Sequence, residues 1–262
     1  MENRITALFG RKDKNILSVY FTAGYPELND TTTIIAELEK NGADLIEIGM
    51  PFSDPVADGP VIQQSSEIAL KNGMTINLLF RQLTEIRKSV SIPLILMGYL
   101  NPVMQYGIED FCRKCREIGI DGTIIPDLPI EIYEAEYKDI FEENSLSNIF
   151  LVTPQTMEER IRKIDSITTG FIYLVSSSST TGAKVSVNEE QIAYFERIRK
   201  MDLQSKRLIG FGISDKPSFE LASESANGAI IGSAFIKSLE GKESLESKVS
   251  SFMLKFIKTL DV

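Results

Sequence analysis

The chain has 262 residues, a hydrophobic content of 43% and a formal charge of −9. That length suits one large α/β domain or two small ones, and so acidic a chain makes a poor nucleic-acid binder, because phosphates demand a basic surface. It contains no histidine, which removes the commonest general base and transition-metal ligand and leaves acid–base chemistry to carboxylates, Lys, Tyr or Cys. No run of 18 or more apolar residues is present, so no membrane span is expected. The stretch Met1–Phe9 lacks the apolar core of a signal peptide, which makes the cytoplasm the expected compartment.

In chain order, Asn3 to Phe9 read as a short leading helix. Ile16–Thr22 reads as a first strand, ended by Gly24 and Pro26. Asp30 is placed to cap a helix over Thr31–Asn41 that stops at Gly42. A second strand covers Leu45–Gly49, followed by a helix from about Val61 to Asn72 and another marked by Leu79, Leu83 and Ile86. The third strand is expected over Ile92–Tyr99. Gly107 precedes a helix in which Ile108, Phe111, Cys112 and Cys115 share one apolar face, so this C-x-x-C reads as core thiols rather than a redox pair. Gly122–Leu128 reads as strand four, Pro129–Asn144 as a helix and Asn148–Thr153 as strand five. Thr156 to Glu159 has the form of a capping box opening a helix through Ile161, Ile164 and Ile167. Phe171–Ser176 is the sixth strand, and Ile192, Phe195 and Ile198 mark the helix after it. Arg207–Ile213, a helix over Lys216–Ser225, Ala229–Gly232 and a last helix over about Leu245–Leu260 complete the chain.

Short strands alternating with helices, without clean polar–apolar alternation, are the pattern of parallel strands buried on both faces. About 250 residues in eight such units is the size of a (β/α)8 TIM barrel. The expectation is a single α/β barrel domain over residues 1–262 with a short extra helix at its N-terminus. An open doubly wound sheet fits less well, because no G-x-G-x-x-G follows strand one.

In a barrel of this kind the active site lies at the C-terminal ends of the strands. Glu47 stands inside an apolar strand, where a carboxylate must be paired, solvated or needed. It is therefore either an ion-paired core acid or a working one. The loop after it, stiffened by Pro51, Pro55 and Pro60, carries Asp58, and Asp127 ends strand four. Glu47 and Asp58 are the plausible pair for proton transfer. Gly210-Phe-Gly-Ile-Ser214 after strand seven, Ile231-Gly-Ser-Ala234 after strand eight and Thr181-Gly182 after strand six sit where barrels bind phosphate esters, unless they are ordinary turn glycines. No Lys ends a strand, which disfavours a Schiff base; a divalent metal on carboxylates alone stays open.

The stretch Ile46-Glu-Ile-Gly-Met-Pro-Phe-Ser-Asp-Pro-Val-Ala-Asp-Gly-Pro60 resembles the signature of the tryptophan synthase alpha chain family. Tyr99-Leu-Asn-Pro102, Asp127-Leu-Pro129, Tyr173-Leu-Val175, Thr181-Gly182, Gly210-Phe-Gly-Ile-Ser214 and Gly232-Ser-Ala234 match in the same order, over nearly the whole chain. The resemblance implies a lyase that cleaves indole-3-glycerol phosphate to indole and glyceraldehyde 3-phosphate by retro-aldol chemistry. It makes Glu47 the general acid/base, sets Asp58 on the indole N–H and puts Tyr173 near the reacting carbon. It packs Phe21 and Phe211 on the indole ring, adds Tyr99 to the substrate site, and gives Thr181 to Asp58 when the loop closes and Gly182, Gly212, Gly232 and Ser233 to the phosphate. No cofactor or metal is implied for this chain. The implied partner is a tryptophan synthase beta chain, which carries pyridoxal phosphate and receives indole directly. One departure stands out: the family often has an Arg and a Gly where this chain has Ser177-Ser-Ser-Thr180. The competing readings are another phosphate-handling barrel, such as an isomerase or epimerase, and a barrel that mainly regulates a partner.

Overall fold

Apolar runs rich in Ile, Leu and Val, most of them closed by Gly or Pro, form eight parallel strands, and these close into one barrel in the order β1 to β8. The computed structural model describes residues 3–175, 189–210 and 212–256. Helix α1 (Arg4–Arg11) leads into β1 (Ile16–Thr22), α2 (Thr31–Lys40), β2 (Leu45–Gly49), α3 (Pro60–Lys71) and α4 (Ile76–Leu83). Then come β3 (Leu94–Met97), α5 (Leu100–Tyr106), α6 (Ile108–Ile118) and β4 (Gly122–Ile124). Helix α7 (Ile130–Ile132) runs through a π-helical turn, Tyr133–Tyr137, into α8 (Lys138–Glu143). The rest follows as β5 (Ser147–Val152), α9 (Glu158–Ile167), β6 (Phe171–Val175), α10 (Glu189–Lys200), β7 (Lys206–Gly210), α11 (Lys216–Ser225), β8 (Gly228–Ile231), α12 (Ser233–Ser238) and α13 (Leu245–Met253). Strand β1 closes the barrel by pairing with β2 on one side and β8 on the other.

The two ends of the barrel differ. At the strand starts, Asn3 caps α1 and its amide also donates to Asp121 O and Ser147 Oγ. Asp121, 2% exposed, accepts from the Arg4 and Arg87 guanidinium groups and from the Leu94 backbone N–H. A buried carboxylate with that many donors ties α1, β3, β4 and β5 together, so this end is structural. Among the described residues no helix is long and apolar enough to cross a membrane.

Several local expectations are corrected. Strands β3 and β4 are shorter than Ile92–Tyr99 and Gly122–Leu128. Pro93 and Pro126 bring no N–H to a ladder, and Tyr99 turns out of the sheet to become the N-cap position of α5. Helix α5 was not expected, since its seven residues are too few to show a helical period, whereas the helix start expected at Ser233 is found as the six-residue α12. Asp30 does not cap α2 with its side chain but accepts from the Glu27 N–H. Thr156 does not cap α9 either; its hydroxyl accepts from the Thr153 N–H. In α10 the inward residues are Tyr194 and Ile198, and Ile192 is 49% exposed. Cys112 and Cys115 are free, buried thiols on α6, and burial pushes the Cys112 thiol up to about 12. The residue Leu260, assigned to the last helix, lies outside the described residues, as does Ser176 of the sixth strand.

Candidate active site

Side chains alternate along a strand, so Ile46 and Ile48 share one face of β2 and Glu47 has the other. Glu47 is fully buried. The Ser18 hydroxyl on β1 donates to its Oε1 at 2.7 Å, while its Oε2 is buried with no hydrogen-bond partner. Burial raises the carboxyl to about 8, and the Ser18 hydrogen bond only partly opposes this. Glu47 is therefore mostly neutral at pH 7, and among the described residues no cation pairs with it, as an ion-paired core acid would require.

Asp58 lies in the proline-stiffened loop between β2 and α3, just before the Gly59 that starts the helix. Its Oδ2 accepts from the Tyr99 hydroxyl at 3.0 Å, and the same hydroxyl accepts from the Ala57 N–H at 3.0 Å. The Phe52 ring stacks on Tyr99 with centroids 5.1 Å apart. Tyr99 thus clamps the loop that presents Asp58. The carboxyl is 9% exposed, and burial raises it to about 6 against the pull of the Tyr99 hydrogen bond. Asp127 does different work: it is exposed, and its Oδ1 accepts the Leu100 N–H at the start of α5.

Two tyrosines wall the space between these acids. The Tyr20 hydroxyl lies 2.2 Å from where a Cβ on Gly49 would stand, and the Tyr173 hydroxyl lies 2.0 Å from where one on Gly210 would stand. The geometry is the same twice over. Tyr20 is in register with Glu47, two residues before Gly49, and Tyr173 with Leu208, two residues before Gly210. Each ring lies across the neighbouring strand, which only glycine permits. Both hydroxyls are held well above their ordinary value, by burial first and then by the Asp58 and Glu47 carboxylates. Since β6 stands across the barrel from β2, that coupling runs through the interior. Tyr20, Met50, Phe52, Asp58, Met97 and Tyr99 line one cavity at this end.

Tyr20 replaces an expected residue. Phe21 was assigned to the substrate, but it alternates with Ser18 and Tyr20 and so points to the opposite face of β1, where it is fully buried in the core. Tyr20 gives no signal in the sequence, because the facing of β1 is decided by its register against Glu47. Gly49→Ala should displace the Tyr20 ring. We expect a stability loss of about 1–3 kcal/mol, typical of overpacking, that largely disappears in a Tyr20→Ala background. Thermal unfolding of the two single variants and the double variant measures it.

On the other side of Tyr20 are the loops expected to take a phosphate. Gly232 is the N-cap position of α12 and has no side chain to bond the first-turn N–H groups, so the cap itself leaves those donors to another acceptor. Tyr20 Cδ1 lies 3.4 Å from where a Gly232 Cβ would be, which sets this helix start beside the Tyr20 ring. Ser233 follows, exposed, and Gly212 in the loop after β7 adopts φ +77°, a left-handed conformation suited to glycine. No Lys or Arg occurs in 210–214 or 231–235, so the donors here are neutral. Thr181, Gly182 and Phe211, expected at this site, lie outside the described residues.

Residues 7–260 match the protein family described as tryptophan synthase alpha chain. The tryptophan synthase alpha chain of Flavobacterium johnsoniae is 60% identical over 96% of this chain and 98% of its own. Among solved structures, the tryptophan synthase alpha chain of Legionella pneumophila subsp. pneumophila superposes with a TM-score of 0.86 at 32% identity, covering 97% of this chain and 95% of that one. A chain of the aminoacrylate-bound form of tryptophan synthase from M. tuberculosis superposes with a TM-score of 0.83 at 26% identity, covering 96% and 97%.

Proposed function

The chain belongs to the tryptophan synthase alpha chain family, and from that premise we propose how its barrel cleaves indole-3-glycerol phosphate in tryptophan biosynthesis. The observation that carries the reading is a neutral, buried Glu47 with one unpartnered oxygen, in the same mouth as an Asp58 that is ionised at pH 7. Two carboxyls pushed to different pKa values take different roles. Neutral Glu47 hands its proton to indole C3, and the positive charge that develops on the ring nitrogen is stabilised by Asp58, which accepts the indole N–H. The bond from C3 to the glycerol carbon then breaks, and its electron pair returns to the ring. The glycerol hydroxyl gives its proton to the Glu47 carboxylate, leaving indole, glyceraldehyde 3-phosphate and Glu47 neutral again.

Tyr173 and Tyr20 supply the walls that exclude water and keep their own protons, and Tyr99 holds Asp58 in place. The phosphate rests on the backbone N–H groups at the start of α12 and on Ser233 and Gly212, and the family resemblance adds Gly182, which lies outside the described residues. The family resemblance gives Thr181 to Asp58 and Phe211 to the indole ring; both lie outside the described residues. Ser233→Asp puts a negative charge at the anion site, so KM should rise sharply with kcat less affected. An unchanged KM would put the phosphate elsewhere.

The partner is a beta chain carrying pyridoxal phosphate, to which indole passes. The likeness to the tryptophan synthase chain of M. tuberculosis supports this. So does the exposed apolar surface beside the mouth: Val56, two residues before Asp58, is 79% exposed, and Met104 on α5 is 54% exposed. The test is indole release by the isolated chain, with and without a beta chain, across pH. Asp58 must be ionised and Glu47 protonated, so kcat/KM should follow a bell with limbs near about 6 and about 8. A barrel with no turnover alone or with the partner is regulatory only, and a monotonic profile overturns the division of roles.

A further inference from the structure

The two oxygens of Glu47 have unlike surroundings. Oε1 takes a 2.7 Å hydrogen bond from Ser18 Oγ, and Oε2 is buried without a partner. Ser18 is itself fully buried, in register with Leu45 on one side and Ile230 on the other. A hydroxyl in such surroundings costs stability unless it is bonded, and the bond it makes runs to the acid. A carboxylate only accepts, so against ionised Glu47 the hydroxyl must donate. If it keeps that donor role against neutral Glu47, the bonded oxygen is the carbonyl and the proton sits on the other oxygen.

We propose that Ser18 is a positioning residue that decides which oxygen of Glu47 works: Oε1 is anchored by Ser18, and Oε2 delivers the proton to C3 and collects it from the glycerol hydroxyl. The end of a Glu side chain turns in a broad, two-fold torsional well. Without an anchor the two oxygens exchange, and the acid proton is turned away from the substrate part of the time. The anchor has a second effect. When Glu47 has given up its proton it is a buried anion, and the Ser18 donor is the hydrogen bond that stabilises it.

This inference rests on the catalytic reading of Glu47. Among the described residues, the titratable groups that couple to Glu47 are Tyr20 from β1 and Tyr173 from β6, and both couple also to Asp58 in the loop after β2, with Tyr99 behind Asp58. The tyrosines stay protonated throughout the working range, and Asp58 titrates on the acid limb, so the alkaline limb reports Glu47.

The experiment is Ser18→Ala in the full chain, with Ser18→Thr as the variant that keeps the hydroxyl and Glu47→Gln as the reference. We expect Ser18→Ala to lower kcat about tenfold with KM unchanged, and to move the alkaline limb of kcat/KM upward by on the order of one pH unit. Titration of Glu47 followed by carbon NMR in the ligand-free protein should show the same upward movement. Ser18→Thr should keep the wild-type limb. A merely structural serine would change the melting temperature and leave the limb in place. Wild-type kcat and an unmoved limb in Ser18→Ala overturn the proposal, as does a Thr variant whose limb moves with that of Ala. If Glu47→Gln itself turns over at a near wild-type rate, the catalytic reading of Glu47 has failed. An inactive Glu47→Gln beside an unchanged Ser18→Ala refutes the role of Ser18 alone.

Discussion

Glu47→Gln should lose indole release by roughly 10²–10⁴-fold, toward the upper end of what a general acid–base group contributes, because one carboxyl makes both proton transfers. Glutamine keeps the shape and still accepts from Ser18, so the mouth stays built while its proton carrier is gone. Stability should move the other way with pH. The Glu47 carboxyl is raised from its usual value near 4.5 to about 8 by folding. A raised acid favours the fold while protonated, and that contribution is fully present below the unfolded value and lost as pH rises through the folded one. The wild-type chain therefore weakens between about 4.5 and about 8 by a term the Gln variant lacks. At pH 9 the variant should melt at or above the wild-type temperature, and at pH 4 the advantage should be gone. Melting curves at both pH values and indole release should come from the same preparation. A variant that melts lower at pH 9 and still cleaves substrate would return Glu47 to the core as a structural acid.

The parts of this molecule that were legible in its sequence are those written in local chemistry. Strand β2 runs over Leu45–Gly49 as expected, because an apolar run bounded by Asp44 and a Gly-Met-Pro turn leaves no room for a helix. The proline-rich loop announced a rigid carrier for Asp58, and Tyr99 is what pins it. What stayed hidden depends on contacts between distant strands. Ser18 is 29 residues from Glu47, and nothing local marks it as the partner of that acid. The choice between Tyr20 and Phe21 turns on a single step of alternation, and one residue of slip exchanges the core face for the site face. In the sequence Gly49 reads as the end of strand two and Gly210 as part of a candidate phosphate-binding stretch, yet at each a tyrosine hydroxyl from the adjacent strand occupies the space of the missing Cβ.

Asp58→Asn is the second variant with a large expected effect, and its pH profile separates charge from shape. Removing the anion that faces the developing ring cation should cost about 10²–10³ in kcat, the scale of a lost electrostatic stabiliser in a dry site. Asparagine can keep its oxygen on the Tyr99 hydroxyl, but it then turns an NH2 group toward the indole N–H, donor against donor, so KM should rise as well. The wild-type acid limb comes from Asp58, raised by burial from 3.8 to about 6, and in the Asn variant that limb should vanish. The alkaline limb belongs to Glu47 and should remain near about 8. Tyr99→Phe supplies the contrast. It removes a donor that lowers the Asp58 carboxyl, so the acid limb should move up while most of the rate at pH 8 survives. If Asp58 merely held its loop through Tyr99, the two variants would fail alike, with both limbs kept and both proteins less stable. An Asp58→Asn variant within about threefold of the wild-type rate at pH 7.5 would leave the ring cation without its counter-charge and sink the assignment.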